Sequence, residues 1–380
     1  MWITHTRSGA RSCAYCRRVT QIVLRFARPP ASCRLSIVPR GLPRLGKWLS
    51  SLGSFRRAVI VTDSRVDALY GAAAARALRR FDPVRVVCPP GERAKRAVEL
   101  VRVWERLARL GIERGDVIVA LGGGAVGDLA GFAAASWLRG VAWVVVPTTV
   151  VAQVDSSIGG KTGINLAAGK NLAGAFHQPL GVFGDPSLLA TLSDRDFRAG
   201  LAEVVKAGVI ADAALFRMLE RDAERILRRE AGPLAVVIER AARAKARIVQ
   251  LDETEAGPRT ALNFGHTLGH AVEAASGYRA RHGEAVAIGM RVATRLAVRT
   301  GGLPARDGLR IETLLDRLSL PKRITGYSIR RLEAAMASDK KRRNSRVRWV
   351  LTPRIGRASV PRLIPARLVR AVLHEAGARA

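Results

Sequence analysis

Three of the six histidines fall within seventeen residues: His266 and His270 in LNFGHTLGH (262–270), and His282 in HGE (282–284). Spaced four apart, His266 and His270 leave the same face of a helix. Imidazole suits zinc and similar divalent ions, and a catalytic site takes three protein ligands and keeps one position open. A solitary histidine is usually an ordinary core or surface residue. Two at helical spacing, with a third in an HGE turn, point to a metal. A carboxylate would complete the set, and Glu203 in AEVVK (202–206) offers one. Glu203 and Lys206 share a helical face, which alone reads as an exposed ion pair worth little. The metal reading gains only because the histidine cluster lacks a carboxylate.

A second group of residues suits phosphate and carboxylate. Gly122, Gly123, Gly124, Gly127 and Asp128 lie in GGGAVGD (122–128), directly after an apolar run. Glycines let the backbone approach a pyrophosphate, and the start of a helix supplies N–H donors and a positive dipole end. A tight strand-to-helix turn also uses glycine, so the placement carries the argument more than the run itself. Asp128 suits a ribose hydroxyl or ring amide, and Asp63, ending an earlier strand, suits the adenosine ribose. Lys161 in DSSIGGKTG (155–163), with Lys170 and Asn171 in GKN (169–171), adds point charge and donors among glycines. The plain alternative there is a flexible surface loop. Arg259 can clamp a carboxylate in bidentate fashion. Lys245 and Asn263 lie in the same region, though each taken singly reads as solvated surface.

The elements that must position these residues change character along the chain. Strands are expected at 21–26, 34–38, 58–62, 84–88, 116–121 and 142–146, with helices at 45–52, 67–80, 93–110 and from the glycines to 137. Strands alternating with helices mean a parallel sheet covered on both faces, and continuous Val/Ile runs fit strands buried on both sides. After about residue 192 helical patterns dominate: 196–228, 233–250, 261–276, 284–300, 308–318 and 330–337, with one strand-like piece at 346–351. The expected architecture is α/β: a Rossmann-like domain over 20–192, then a mostly α-helical metal domain over 193–380. No internal repeat is evident.

The 380 residues suffice for two ordinary domains, and with 48% hydrophobic but only 5% aromatic residues the core must be largely aliphatic. Lys and Arg outnumber Asp and Glu 64 to 31, a formal charge of +33. No nucleic-acid motif or aromatic stacking set accompanies that charge, so it reads as an arginine-biased surface that would draw in an anionic small substrate. Cys13 and Cys16 form a lone CxxC without a second pair, which disfavours a structural zinc site. A reduced, cytoplasmic protein is the simpler account. No apolar run reaches the ~18 residues of a membrane span. Residues 1–62 hold no Asp or Glu, and 1–19 form a basic extension that reads equally as a targeting segment, a tail or a misassigned start.

Together these segments resemble the 3-dehydroquinate synthase family. The resemblance rests on PGE (90–92) with Lys95, GGGAVGD (122–128), LRG (138–140), PTTVVAQVDSSIGGKTGIN (147–165) and GKN (169–171). It continues in GLAEVVK (200–206), DETEAGPR (252–259), LNFGHTLGH (262–270), HGEAVAIGM (282–290) and DKK (339–341), covering about residues 20–360. It implies NAD, one divalent metal (zinc or cobalt) and an active site between the two domains. The implied substrate is a phosphorylated keto acid, 3-deoxy-D-arabino-heptulosonate 7-phosphate. Transient oxidation by NAD, β-elimination of phosphate, re-reduction and an intramolecular aldol closure give 3-dehydroquinate.

By the same resemblance Glu203, His266 and His282 are the metal ligands, which leaves His270 out. Lys161, Asn171, Asn263, His270 and one of Lys340 and Lys341 handle phosphate and substrate. Lys206, Lys245 and Arg259 hold the carboxylate and ring hydroxyls. Arg139 reaches the phosphate from a neighbouring subunit, implying a homodimer. Glu92, Lys95, Gly124, Asp128, Thr148, Thr149, Asp155, Lys170 and Thr191 contact NAD. Arg65 departs from the pattern, standing where some members carry an Asn that contacts NAD. Three other readings compete: a secondary-metabolite sugar phosphate cyclase, a simple metal-dependent alcohol dehydrogenase, and a non-catalytic basic binding protein. The intact substrate-handling set argues against the first, and the complete constellation against the other two.

Overall fold

The Val and Ile runs become one parallel sheet because β-branched side chains pack well on a pleated surface buried on both faces. The computed structural model describes residues 32–255, 257–341 and 347–379, without the side chains of 338–341. In chain order the strands are β1 (Arg34–Ile37), β2 (Ala58–Asp63), β3 (Val84–Cys88), β4 (Val117–Gly122), β5 (Ala142–Pro147), β6 (Lys161–Leu166), β7 (Gly169–Phe176) and β8 (Gly181–Gly184). Six form the sheet, in the order β1-β8-β5-β4-β2-β3 with every pair parallel, and β6–β7 is a separate antiparallel hairpin. The N-terminal helices are α1 (Leu45–Ser50), α2 (Ser64–Val66), α3 (Ala72–Ala77), α4 (Ala97–Arg109) and α5 (Gly124–Ser136).

Side chains alternate across the sheet with the period of two that a strand imposes. Val59, Val61, Ile118, Ala120 and Val145 pack against Leu100, Val103 and Leu107 of α4 and Val126 and Leu129 of α5. On the other face Ile60, Val119, Leu121, Val144 and Val146 meet Leu45, Leu49, Ala74 and Leu78. Because all strands run the same way, their C-terminal ends share one edge. That edge is where an open α/β sheet binds its ligand.

The second half is helical: α6 (Asp194–Ala211), α7 (Ala213–Leu227), α8 (Ala231–Leu251), α9 (His266–Ala275), α10 (His282–Arg299), α11 (Ala305–Arg317), α12 (Ile329–Lys341) and α13 (Ala366–Glu375). They share one core, in which α6 is central and buried from Ala199 to Ile210. Any polar residue on that stretch is therefore buried, which requires a partner or a function.

The structure differs from expectation in four places. The helix expected at 196–228 breaks at Asp212, whose carboxylate caps α7 by accepting from the N–H groups of Ala214 and Leu215, each at 3.0 Å. The hydrophobic period runs on through such a break and hides it. The glycine-rich stretch after Gly160 is a hairpin; Gly163 opposes Gly174, and a Cβ on Gly174 would lie 2.0 Å from the Thr162 carbonyl oxygen. Of the strand expected at 346–351, only a bridge from Trp349 to Arg362 forms, and Arg346 lies outside the described residues. The strand β8 and the helix α13 were not expected. The strand at 21–26 and the Cys13–Cys16 pair also lie outside the described residues.

Candidate active site

The buried α6 carries Glu203, and the first residues of α9 and α10 carry His266 and His282. Glycines let these helices meet. A Cβ on Gly283 would lie 1.7 Å from the Ala199 carbonyl oxygen, and one on Gly289 1.8 Å from that of Gly265. The result brings one ligand atom of each of Glu203, His266 and His282 within 4.8 Å of the others. Glu203 Oε1 is 3.5 Å from His266 Nε2 and 3.4 Å from His282 Nε2. His270 is exposed on the same face of α9, its ring 5.3 Å from that of His266, outside the triad.

The triad fits a divalent ion. Neither oxygen of Glu203 accepts a hydrogen bond of good geometry, although the Lys206 ammonium pairs with Oε2. A buried carboxylate left this way is costly without a further cation. His266 Nδ1 lies 3.2 Å from the Phe264 carbonyl oxygen, and His282 Nδ1 lies 3.1 Å from Glu273 Oε2. Both partners only accept, so each Nδ1 carries a proton; on His282 burial is outweighed by Glu203 and Glu273, which raise the imidazole to about 10, so its Nε2 also holds a proton that a bound metal would displace. Burial and the Lys206 charge push the His266 imidazole well below its usual range, keeping it neutral. Burial would lift the Glu203 carboxyl, but the Lys206 charge and the His282 imidazolium outweigh it and hold it well below the usual range. Two nitrogens and one oxygen around an open position suit zinc or cobalt.

Buried charges surround the triad. Lys245 Nζ lies 2.7 Å from Asp155 Oδ1, and Lys206 Nζ lies 3.6 Å from the same oxygen. Burial raises the Asp155 carboxyl, but the two ammonium groups hold it at about 2. These groups and Glu203 line a small cavity closed by Val154 and Leu262. Arg259, 2% exposed, donates to the Glu253 carbonyl and, at 3.3 Å, to that of Gly159. Lys161 ion-pairs with Glu255, whose other oxygen accepts from Asn263 Nδ2 at 3.1 Å.

The sheet edge supplies the other half. Asp63 ends β2, and its Oδ1 accepts from the N–H groups of Arg65 and Val66 at 2.9 and 3.1 Å. Gly123 begins α5 with no side chain capping it, and a Cβ on Gly127 in the first turn would meet nothing within 4 Å. That open helix start is a ready anion site. Thr148 N–H donates to the Gly122 carbonyl at 2.9 Å, and Thr149 Oγ1 accepts from Ala152 N–H at 3.1 Å. The buried Lys95 reaches Asp128 at 2.5 Å and also contacts Asn171. Asn171, expected in the phosphate set, is thus in contact with Lys95, expected in the NAD set. Glu92 accepts from Asn165 Nδ2 at 2.7 Å and faces Lys170 Nζ at 3.9 Å. Thr191 Oγ1 is 2.9 Å from the Tyr70 hydroxyl.

The remaining expected contributors are Arg139, Lys340 and Lys341. Arg139 is exposed beyond the far end of α5, about 20 Å along the helix from Gly124 at 1.5 Å per residue. Lys340 and Lys341 close α12, and their side chains lie outside the described residues. Sequence reasoning missed Glu273, Glu255, Asn165 and Tyr70. Only Glu273 left a readable signal: at seven residues after His266 it falls on the same face of α9.

The fold of this chain is that of the sugar phosphate cyclases. The 2-epi-5-epi-valiolone synthase of Streptomyces hygroscopicus subsp. jinggangensis, solved with NAD+ and Zn2+ bound, superposes with a TM-score of 0.84 at 30% identity, over 93% of this chain and 99% of that one. A 2-deoxy-scyllo-inosose synthase complexed with carbaglucose-6-phosphate, NAD+ and Co2+ superposes with a TM-score of 0.82 at 27% identity, over 90% of this chain and 96% of that one. Within that class the chain belongs to the 3-dehydroquinate synthase family. Residues 85–199 match the family's "3-dehydroquinate synthase N-terminal" model and 200–342 its "3-dehydroquinate synthase C-terminal" model. The 3-dehydroquinate synthase of Nostoc punctiforme is 42% identical over 351 residues, 91% of this chain and 97% of that protein.

Proposed function

We propose that the chain converts 3-deoxy-D-arabino-heptulosonate 7-phosphate into 3-dehydroquinate and phosphate, with NAD at the sheet edge and a divalent ion on Glu203, His266 and His282. The observation that carries this reading is the buried Glu203 carboxylate, whose Oε1 lies 3.5 Å from His266 Nε2 and 3.4 Å from His282 Nε2, so that one ligand atom of each residue falls within 4.8 Å of the others. When bound, the metal supplies Lewis acidity to substrate oxygens and NAD a reversible hydride acceptor. In this reading 20–192 is the NAD-binding part and 193–380 the metal and substrate part, which the change from sheet to helices after Thr191 supports.

The chain's own residues bind, orient and exclude water. The glycine-rich start of α5 takes the pyrophosphate, while Asp63 and Asp128 take ribose or amide groups. Arg259, preset by two carbonyls, offers its guanidinium to the substrate carboxylate. Lys206 and Lys245, buried beside Asp155, donate to ring hydroxyls. Lys161, Asn263 and His270 face the phosphate, with Lys340 or Lys341 completing that set. Arg139 is exposed beyond the C-terminal end of α5, which supports a homodimer in which it serves the neighbouring site. Exposed Leu166, Leu172 and Phe176 on the β6–β7 hairpin are consistent with such an interface. Among the described residues no helix is long and apolar enough to cross a membrane, and the free Cys33 and Cys88 support a cytoplasmic location.

The test is phosphate release from that substrate with catalytic NAD, before and after chelation. Metal-dependent release with equimolar 3-dehydroquinate and no net NADH is expected. Release only from a different sugar phosphate would move the chain to the secondary-metabolite cyclases. NADH accumulation without phosphate loss would make it a dehydrogenase.

A further inference from the structure

The two histidine ligands differ in what holds them. His266 Nδ1 meets a neutral carbonyl, that of Phe264, at 3.2 Å, whereas His282 Nδ1 meets the Glu273 carboxylate at 3.1 Å. Glu273 is largely enclosed, its side chain 12% exposed. It lies on α9 at the face that also carries His266, so one helix supplies a ligand and the group orienting its neighbour's ligand. We infer that Glu273 is a positioning residue for the metal, acting through His282 to fix its tautomer and strengthen its donation. The inference rests on the ligand set proposed above.

The physical case has two parts. A carboxylate on Nδ1–H holds the ring in one orientation and raises the basicity of Nε2, which a carbonyl does less well. Charge balance adds to this. Glu203 contributes one negative charge, offset locally by Lys206, so a divalent ion would sit in a buried site of net positive charge. Glu273 restores one negative charge within one imidazole of the ion. Chain geometry keeps it there: the Glu273 carbonyl accepts from Tyr278 N–H at 2.8 Å and from Ser276 Oγ at 2.7 Å, fixing the end of α9 from which the side chain projects.

The test is metal affinity, read apart from turnover. The full-length protein is loaded with Co2+, and affinity is measured by chelator competition using the visible bands of bound cobalt. Glu273→Ala is expected to weaken Co2+ binding by about 10- to 100-fold. Glu273→Gln, which still accepts from Nδ1–H but lacks the charge, should fall between it and wild type and shift the cobalt bands. NAD affinity should not change. An Ala variant that holds cobalt within threefold of wild type, with unshifted bands, would overturn the inference. If that variant fails to fold, the Gln variant decides by the same readout. His266→Ala serves as the control. Unaltered cobalt affinity in that variant would overturn the ligand set, and the inference with it. Metal binding that follows this order without the proposed turnover would overturn only the substrate.

Discussion

Lys161, opening β6, ion-pairs with Glu255, which lies in the connection between α8 and α9. Glu255 also accepts from Asn263, so one carboxylate gathers two groups from the proposed phosphate set. Burial raises the Glu255 carboxyl, and Lys161 outweighs it and keeps the group ionised. In the proposed site an incoming phosphate would compete with Glu255 for the same ammonium. Lys161→Met removes a charge-assisted contact worth about 1.5–3 kcal/mol, so the substrate KM should rise about 10- to 150-fold. Steady-state kinetics beside NAD and metal titrations checks this. A KM within threefold of wild type would remove Lys161 from the site.

The triad depends on a backbone contact as much as on its ligands. Gly283 follows His282, and a Cβ there would lie 1.7 Å from the Ala199 carbonyl oxygen and 2.5 Å from its carbonyl carbon. Backbone cannot yield as a side-chain tip can, so Gly283→Ala must push α10 away from α6 and carry His282 from Glu203. Metal content should fall at least tenfold, with stability reduced by about 1–3 kcal/mol from overpacking. Metal analysis after gel filtration tests it; a fully loaded variant would show that the helices have slack.

Much of this was legible in the sequence, for reasons that particular residues make plain. The strands β2, β4 and β5 announced themselves because buried parallel strands read as unbroken Val/Ile runs. Glu203, His266 and His282 came from a family resemblance, since spacing alone favoured His270 as the partner of His266. Tertiary structure decides otherwise: α10 brings His282 to Glu203 and His266, with the exposed His270 beside the triad rather than in it. The hairpin β6–β7 escaped because paired glycines erase strand alternation. Glu255 escaped because its partners lie 94 residues upstream and 8 downstream, a coincidence only folding creates. Asp212 escaped because a capped break leaves the hydrophobic period intact.

Asp185 is a structural counterpart to these active-site carboxylates. Fully buried, it accepts from the N–H groups of Arg40 (2.9 Å), Gly41 (2.7 Å), Leu42 (3.0 Å) and Ser187 (2.9 Å), and from Ser187 Oγ (2.7 Å). It thereby ties the chain after β1 to the end of β8. Asp185→Ala would leave several buried donors unpaired, and a loss of about 3–5 kcal/mol is expected. Urea unfolding of the metal-free protein measures it. A loss below about 1 kcal/mol would mean that water replaces the carboxylate at no cost.

Asp116 gives a pH dependence whose sign can be worked out. It is buried and accepts from Arg56 Nε (3.2 Å), Arg57 N–H (3.1 Å) and Glu113 N–H (2.8 Å), just before β4. Burial raises its carboxyl, but these donors and the Arg56 charge outweigh it and hold the folded value below the ordinary 3.8. The unfolded chain therefore takes up a proton first as pH falls. The stabilisation is complete above the unfolded value and is lost as pH drops through the folded one. Asp116→Asn should thus be less stable than wild type at pH 7, with the gap narrowing below about pH 4. Thermal midpoints of both proteins from pH 7 to pH 3 test this, with the metal-free form used throughout so that metal loss in acid does not intrude. A gap that stays constant across that range would assign the effect to lost packing or hydrogen bonds alone, not to the charge on Asp116.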